Sequence, residues 1–261
     1  MYPRILDLGT ITIHSYGLFL AAAFIISLWI TGRNGRKAGI DTDTVWNMGL
    51  IVLFSALLGS KVFLLVADFS YYRENPYQIF SLSTFQSNAS WYGGLCAAFC
   101  AAVCFVWKKR IPPVRIADSA APGIALGQAI AGAGCFFAGC CYGALTNMPW
   151  GIVFSDPYAS QNHGTPLHIP LHPTQLYEAA GAFALFLFLM YRLSRKSTPG
   201  IVILQYLGFY AALRFVVEFF RGDERGFVLY GLLSTSQMIA LLTFIGSAAV
   251  YLFLRHRPMK A

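Results

Sequence analysis

The sequence predicts an all-α, polytopic membrane protein with about seven transmembrane helices, on three observations. Hydrophobic residues make up 57% of the 261 residues and charged residues only 11%, against ~25% charged residues in a typical soluble domain. Basic residues are concentrated in alternate connections between long apolar stretches. Each stretch approaches the ~20 residues that a helix needs to cross the hydrocarbon core, and together they cover residues 15–31, 45–67, 90–107, 117–140, 174–192, 200–219 and 234–254.

The distribution of Lys and Arg predicts the orientation of the chain in the membrane. The positive-inside rule assigns connections rich in these residues to the cytoplasm. We therefore expect the N-terminus outside and the C-terminus in the cytoplasm, in agreement with an odd number of spans. The formal net charge of +8 then reflects orientation and contact with anionic membrane lipids, and no nucleic-acid partner is expected. The cytoplasmic basic residues are Arg33, Arg36 and Lys37 after the first span, Lys108, Lys109, Arg110 and Arg115 after the third, Arg192, Arg195 and Lys196 at the fifth, and Arg255, Arg257 and Lys260 at the end.

The pattern predicts a single integral membrane domain over residues 1–261, with one long connection. Residues 142–172 contain several prolines and no Lys or Arg, and on this topology they face the outside. A connection of this length inside a compact domain is usually functional or disordered. The apolar residues Trp150, Ile152, Val153 and Phe154 favour a folded, extracytoplasmic cap on the membrane surface.

Charged and polar residues within the apolar spans mark a candidate site. Arg214, Glu218 and Arg221 are spaced by four and three residues, which predicts one helical face in the outer half of the sixth span. Glu178 lies in the first turn of the fifth span, and Tyr16 opens the first. Charges in the hydrocarbon usually face a cavity and mark functional sites. Arg214 and Glu218 could form an ion pair that serves only to neutralise both charges. The second arginine on the same face, Arg221, favours instead a site for an anion such as phosphate.

Glycines in the third and fourth spans allow two interpretations. Gly93 and Gly94 begin the third span, and Gly134, Gly139 and Gly143 belong to a longer series at the fourth. Small residues let membrane helices approach closely. Glycine at a helix end can also expose backbone N–H groups to a phosphate. Both interpretations stay open on the sequence alone.

Six cysteines fall into two groups. The first recurs every fourth residue on one face of the third span, which favours a packing role. The second clusters at the outer end of the fourth span, where an oxidising compartment would permit a disulfide. Its spacing matches neither a C-x-x-C redox motif nor a standard zinc pattern, and no metal or other cofactor is expected, although loop histidines could complete a metal site. The groups are Cys96, Cys100 and Cys104, and Cys135, Cys140 and Cys141, with His163, His168 and His172 in the following loop.

Five segments together resemble one family of bacterial inner-membrane proteins, the prolipoprotein diacylglyceryl transferases. The segment HPTQLYE is nearly identical to the family pattern HP(S/T)QLYE, and RFVVEFFR matches RF-x-x-EFFR. The other three resemble the family's opening Tyr-Gly, its entry to the fourth helix and its (I/L)S-x-(G/S)Q segment. In chain order, the segments are residues 13–17, 117–122, 172–178, 214–221 and 233–237.

This resemblance implies a reaction, two substrates and a set of site residues. The family moves a diacylglyceryl group from phosphatidylglycerol to the thiol of a lipobox cysteine in a prolipoprotein, at the inner membrane. Attack needs a thiolate, and the leaving phosphate needs positive charge. The resemblance assigns catalysis to Arg214, Glu218, Tyr16, Tyr92 and His172, and substrate binding to Arg221, Gly93, Gly94, Gly134, Gly139, Gly143, Gln175, Tyr177 and Glu178.

The chain also departs from the family pattern. The signature G-R-x-G-N-F-x-N-G-E loses its Arg, both Asn and its Glu to Gly132, Cys135, Ala138 and Cys140, and the family's His in HGGL is Tyr92. Two alternatives to the family reaction therefore stay open. One is a divergent paralogue that binds or transfers a lipid group to another acceptor, or is inactive. The other is a membrane thiol–disulfide protein that uses the second cysteine group.

Overall fold

The computed structural model describes residues 3–7, 12–80, 91–195, 198–223, 226–228 and 232–256. Nearly all of the regular structure is helical. The helices are α1 (Ser15–Lys37), α2 (Thr42–Ala67), α3 (Phe69–Glu74), α4 (Trp91–Lys108), α5 (Pro113–Ala138), α6 (Pro157–His163), α7 (Thr174–Ser194), α8 (Ile201–Glu218) and α9 (Thr235–His256), with a 3-10 turn over Pro76–Phe80. Short antiparallel strands pair as β1 (Arg4–Asp7) with β2 (Thr12–His14), β3 (Ile152–Val153) with β4 (Pro170–Leu171), and β5 (Phe227–Val228) with β6 (Leu233–Ser234).

The helices confirm a mostly helical, polytopic membrane protein. Within the described residues, α1, α2, α5, α7, α8 and α9 are long and apolar enough to cross a bilayer. Each of them coincides with a predicted span. The third predicted span coincides with α4, whose apolar part, Gly93–Lys108, is shorter. Large apolar side chains stand exposed along these helices, among them Phe54, Leu58 and Phe99, as lipid-facing surfaces require.

The chain divides into two compact units. The first comprises Met1–Asn34 and Ala117–Ala261, and the second comprises Gly35–Ile116. In the second unit, α2 and α4 pack along each other through small residues. A Cβ added to Gly59 would come 2.8 Å from the Gly93 carbonyl oxygen, so this helix pair depends on glycine at the contact.

The first unit has its apolar core where α5, α7 and α8 meet. Small alanines on α5 receive larger side chains from the other two helices, which lets the three helices pack closely. The residues of this core are Ala121, Ala125, Leu185, Leu189, Val202 and Tyr206.

Polar contacts tie the helices of the first unit together. The Ser27 hydroxyl on α1 donates to the Gly123 carbonyl oxygen on α5 at 2.8 Å. The buried Asp118 carboxylate on α5 accepts hydrogen bonds from the backbone N–H groups of Gly200 (2.6 Å) and Ile203 (2.8 Å). These N–H groups belong to the start of α8 and lack intrahelical acceptors. Asp118 therefore caps α8 from a neighbouring helix.

The connection between α5 and α7 is folded. It contains β3, α6 and β4, and the Asp156 carboxylate caps α6 by accepting from the Tyr158 N–H at 2.9 Å. Phe154 and Ala159 are completely buried. The Thr146 N–H donates to the Pro170 carbonyl oxygen at 3.1 Å. This segment therefore has its own hydrogen bonds and buried side chains.

Candidate active site

Side chains at the start of α7 hold the end of α5. The Gln175 amide donates to the Cys140 carbonyl oxygen at 2.7 Å, and the Thr174 hydroxyl donates to the Cys141 carbonyl oxygen at 2.8 Å. Both side chains are buried. Carbonyl groups just after a helix would otherwise be unsatisfied, so the predicted site residue Gln175 fixes the backbone here.

Arg214 on α8 lies between two carboxylates. One guanidinium nitrogen is 2.7 Å from a Glu178 oxygen on α7, and the other is 3.5 Å from a Glu218 oxygen on α8. The Tyr210 hydroxyl donates to the second Glu178 oxygen at 2.7 Å. The Arg214 side chain is only 18% exposed and the Glu218 side chain only 5%. Three predicted site residues thus form one largely buried ionic network.

Glu218 links this network to the start of α9. The Ser234 hydroxyl donates to a Glu218 oxygen at 2.8 Å. Ser234 also forms a reciprocal cap with Gln237: the Gln237 N–H donates to the Ser234 hydroxyl at 3.1 Å, and the Ser234 N–H donates to the Gln237 side-chain oxygen at 3.0 Å. This capping box explains why the sequence motif pairs Ser with Gln three residues later.

Arg221 lies outside the helical face on which the spacing placed it. That expectation is wrong because α8 ends at Glu218. Arg221 instead forms a two-pronged ion pair with Asp223, at 2.7 and 2.8 Å. Burial disfavours the guanidinium charge, but the interactions with Asp223 and Cys141 together outweigh this and raise the pKa of Arg221. Both Arg214 and Arg221 therefore have carboxylate partners, and an incoming anion must compete with them.

His172 and Tyr177 form a second polar group beside α7. The Tyr177 hydroxyl oxygen lies 3.1 Å from His172 Nδ1 and accepts a hydrogen bond from the Trp150 indole N–H at 2.8 Å. The His172 and Tyr177 rings both pack edge-on against Phe220. Trp150 is a contributor that the sequence analysis assigned only to the cap, and no motif links it to Tyr177.

Gly143 lies where three backbone segments meet. Its N–H donates to the His172 carbonyl oxygen at 3.1 Å, and the Ala144 N–H donates to the Phe220 carbonyl oxygen at 2.8 Å. A Cβ added to Gly143 would come 2.6 Å from the His172 Cβ and 2.7 Å from the Phe220 carbonyl oxygen. The position therefore requires glycine, and through it His172 is fixed relative to the end of α8.

The second cysteine group is gathered into a cluster. The sulfur atoms of Cys135, Cys140 and Cys141 all lie within 4.8 Å of one another, and we call these residues the thiol cluster. The Arg221 guanidinium lies close enough to Cys141 to interact with it electrostatically. Hydrogen bonds with the other two thiols, and next the Arg221 charge, lower the pKa of Cys141. The turn leading into the cluster uses Gly139 in a left-handed conformation, with φ of 80°.

The remaining predicted site residues lie in different parts of the structure. Tyr16 begins the α1 span close enough to the thiol cluster to interact with it electrostatically. Gly134 packs against Phe19, where an added Cβ would lie 2.6 Å from the Phe19 Cβ. Gly93 and Gly94 belong to the second unit, in the first turn of α4 and packed against α2. The side chain of Tyr92 lies outside the described part of the structure.

The structure is that of a helical, multi-pass membrane protein with buried ion pairs at one end of its first unit. A family model described as prolipoprotein diacylglyceryl transferase matches residues 3–253. The chain therefore belongs to the prolipoprotein diacylglyceryl transferase family, as the five sequence segments predicted.

Relatives called phosphatidylglycerol–prolipoprotein diacylglyceryl transferase match along nearly their whole length. The Clostridium tetani protein is 32% identical over 246 residues, covering 94% of each chain. The Clostridium perfringens transferase 2 is 34% identical over 241 residues, covering 92% of this chain and 90% of its own. The Bordetella parapertussis protein is 32% identical over 271 residues, covering 99% of both chains.

Replacing Gly143 by Ala tests the close approach at this site. We expect Gly143→Ala to lower the free energy of unfolding by about 1–3 kcal/mol, because the added methyl group overpacks against two backbone segments. Gly246→Ala on α9 is the matched control, since no atom lies within 4 Å of its added Cβ. Thermal unfolding in detergent should show a lower midpoint for the first variant and an unchanged or higher midpoint for the second. Equal midpoints would contradict the geometry at Gly143.

Proposed function

We propose that this protein transfers a diacylglyceryl group from phosphatidylglycerol to the cysteine thiol of a lipobox-bearing prolipoprotein. Membership of the family and the names of the relatives support this reaction. The observation that carries the proposal is the ionic network of Arg214, Glu178 and Glu218. All three residues lie in the two segments that match the family pattern most closely.

Arg214 is the group proposed to stabilise the leaving phosphate. In the reaction, the acceptor sulfur forms a bond to a glyceryl carbon while the bond from that carbon to a phosphate oxygen breaks. The electron pair passes to the phosphate, and glycerol phosphate leaves. The 2.7 Å contact with Glu178 holds one side of the guanidinium. The contact with Glu218 is longer, 3.5 Å, so this side is the one that can turn toward phosphate.

His172 is proposed to accept the thiol proton. A free thiol has a pKa of about 8.5 and attacks only as the thiolate. In the tautomer with hydrogen on Nδ1, His172 donates to the Tyr177 hydroxyl oxygen 3.1 Å away and leaves Nε2 as an acceptor. The contact with Tyr177, which Trp150 in turn holds in place, fixes the direction of the ring. Tyr16 and Tyr92 remain proposed partners in positioning the acceptor.

The altered signature favours one alternative function. Gly132 stands where the family has Arg, so phosphate stabilisation by this protein rests on Arg214 and Arg221. Cys135 and Cys140 likewise replace Asn and Glu. A divergent paralogue that uses a different acceptor would keep the network at Arg214 and bind the lipid, but it would leave a lipobox peptide unmodified. The same assay separates the two functions.

The membrane arrangement is part of the proposal. We place the protein in the bacterial inner membrane as one integral domain with seven spans, counting α4, the N-terminus outside and the C-terminus in the cytoplasm. Residues 142–172 then form an extracytoplasmic cap. The concentration of basic residues in alternate connections supports this orientation, and the contact of Trp150 with Tyr177 supports a cap that reaches the site.

Replacing Arg214 by Ala should abolish transfer. Purified protein is incubated with phosphatidylglycerol micelles and a peptide bearing one lipobox cysteine, and the diacylglyceryl adduct is quantified by mass spectrometry. We expect the wild-type protein to form the adduct. The rate of adduct formation by Arg214→Ala should be lower by a factor of about 100 or more, because a positive charge at a leaving phosphate raises the rate by such a factor. Arg195→Ala removes an exposed arginine at the far end of α7 and should leave the rate unchanged.

Two results of this assay would contradict the proposal. A wild-type protein that forms no adduct, beside an active relative, would show that the altered signature has ended the reaction on this acceptor. An Arg214→Ala variant as fast as Arg195→Ala would remove the proposed role of the guanidinium.

Reporter fusions test the proposed orientation. A fluorescent protein that folds only in the cytoplasm should be bright when fused after α9, and a phosphatase active only outside should be active within residues 142–172. The reason is that three spans, α7, α8 and α9, lie between residues 142–172 and the end of α9, so the two fusion sites lie on opposite sides of the membrane. The reverse pair of signals would contradict the topology.

A further inference from the structure

The thiol cluster has no role in the transfer reaction proposed above. Its three side chains are half-buried, and their sulfur atoms lie within 4.8 Å of one another. Cys135 lies in the last turn of α5, and the other two follow that helix directly. One thiol lies on the helix and two lie after its end, so helical periodicity cannot bring the three sulfur atoms together. The turn between them does so instead.

That turn is fixed by its own conformation and by hydrogen bonds from α7. Gly139 and Cys141 adopt left-handed φ angles of 80° and 61°. Their succession folds the chain back, so that the later thiols face the earlier one. The carbonyl groups of Cys140 and Cys141 accept hydrogen bonds from Gln175 and Thr174 at 2.7 and 2.8 Å. The backbone beneath the thiols is thus held before any ligand arrives.

We propose that the thiol cluster binds a thiophilic cation with a filled d shell, Zn²⁺ or Cu⁺, through three sulfur ligands. Sulfur atoms bound to zinc at ~2.3 Å in tetrahedral geometry are ~3.8 Å apart. The observed spacing of at most 4.8 Å is within about 1 Å of this value. Thiolates select such cations over Mg²⁺ and Ca²⁺, which prefer oxygen.

The charge near the cluster suits a metal thiolate complex. Three thiolates and one divalent cation carry a net charge of −1. The Arg221 guanidinium beside Cys141 offsets this charge in surroundings where an unpaired charge is costly. Asp223 holds that guanidinium in place by two hydrogen bonds.

Three protein ligands leave the fourth position of a tetrahedral zinc site open. Resting on the proposed transfer reaction, we assign this position to the acceptor cysteine of the prolipoprotein. Bound at this position, Zn²⁺ would favour the thiolate form of the acceptor, whose proton passes to His172, the proposed proton acceptor. That species is the nucleophile that the reaction needs.

Protection from alkylation tests metal binding without any substitution. Reduced, metal-free, full-length protein is treated with a maleimide with or without Zn²⁺, and each cysteine is followed by mass spectrometry. We expect Zn²⁺ to slow alkylation of the thiol cluster by about tenfold or more, because binding draws these half-buried sulfur atoms together around the cation and away from the maleimide. The exposed Cys96, Cys100 and Cys104 are internal controls, since four residues along a helix separate them by about 6 Å.

A second readout uses Cd²⁺, whose thiolate complexes absorb in the ultraviolet. We expect one Cd²⁺ per chain in the wild-type protein and in the control variant Cys96→Ser/Cys100→Ser/Cys104→Ser, and none in Cys135→Ser/Cys140→Ser/Cys141→Ser. A lipobox peptide should change this absorption, and the same peptide with Ser in place of its cysteine should not.

Each other outcome overturns a defined part of the proposal. Equal alkylation with and without Zn²⁺, equal protection by Mg²⁺, or Cd²⁺ absorption that survives in the thiol-cluster variant removes the metal site. Isolation of the protein with a disulfide between two cluster cysteines, and no metal binding after reduction, assigns the cluster to redox chemistry instead. Cd²⁺ absorption that the lipobox peptide leaves unchanged removes only the proposed binding of the acceptor thiol to the metal. None of these readouts requires turnover, so failure of the transfer reaction is seen separately.

Discussion

The guanidinium of Arg214 is the interaction on which the polar end of the first unit depends. It joins α8 to Glu178 at the start of α7 and lies beside Glu218, whose other oxygen holds Ser234 at the start of α9. Without it, two largely buried carboxylates would face each other with no compensating charge, which is strongly destabilising. The positions of three helix ends therefore depend on a charge that the proposed reaction also uses at the leaving phosphate.

The turn after α5 adds a second constraint and connects the separate parts of the site. Gly143 joins this turn to the backbone of His172 and, through Ala144, to Phe220 at the end of α8. The next residue, Arg221, lies beside Cys141 of the thiol cluster. A change in the turn would therefore reach the proposed proton acceptor, the second arginine and the thiol cluster together. Backbone contacts, and not side chains alone, fix the spacing of these groups.

Much of the fold could be predicted because a bilayer restricts a chain to long apolar helices. The seven long described helices coincide with the predicted spans for this reason. Helical spacing failed at Arg221, because it assumes a helix that in fact ends at Glu218. The sequence grouped the three cysteines of the thiol cluster at the outer end of the fourth span. It could not show that their sulfur atoms meet, since left-handed turns at Gly139 and Cys141 bring together residues whose spacing matches no known motif. The Trp150 contact depends on the folding of a connection that carries no periodic signal.

The measurement that tests this account most directly compares stability and transfer in Arg214→Met and in the double variant Arg214→Met/Glu178→Gln. The single variant should unfold at a lower temperature, because it leaves carboxylates without a partner. The double variant removes one of those charges and should recover part of the lost stability. Adduct formation on the lipobox peptide should stay absent in both. A double variant that regains the wild-type transfer rate would show that Arg214 only holds the helices together, and would contradict its role at the phosphate.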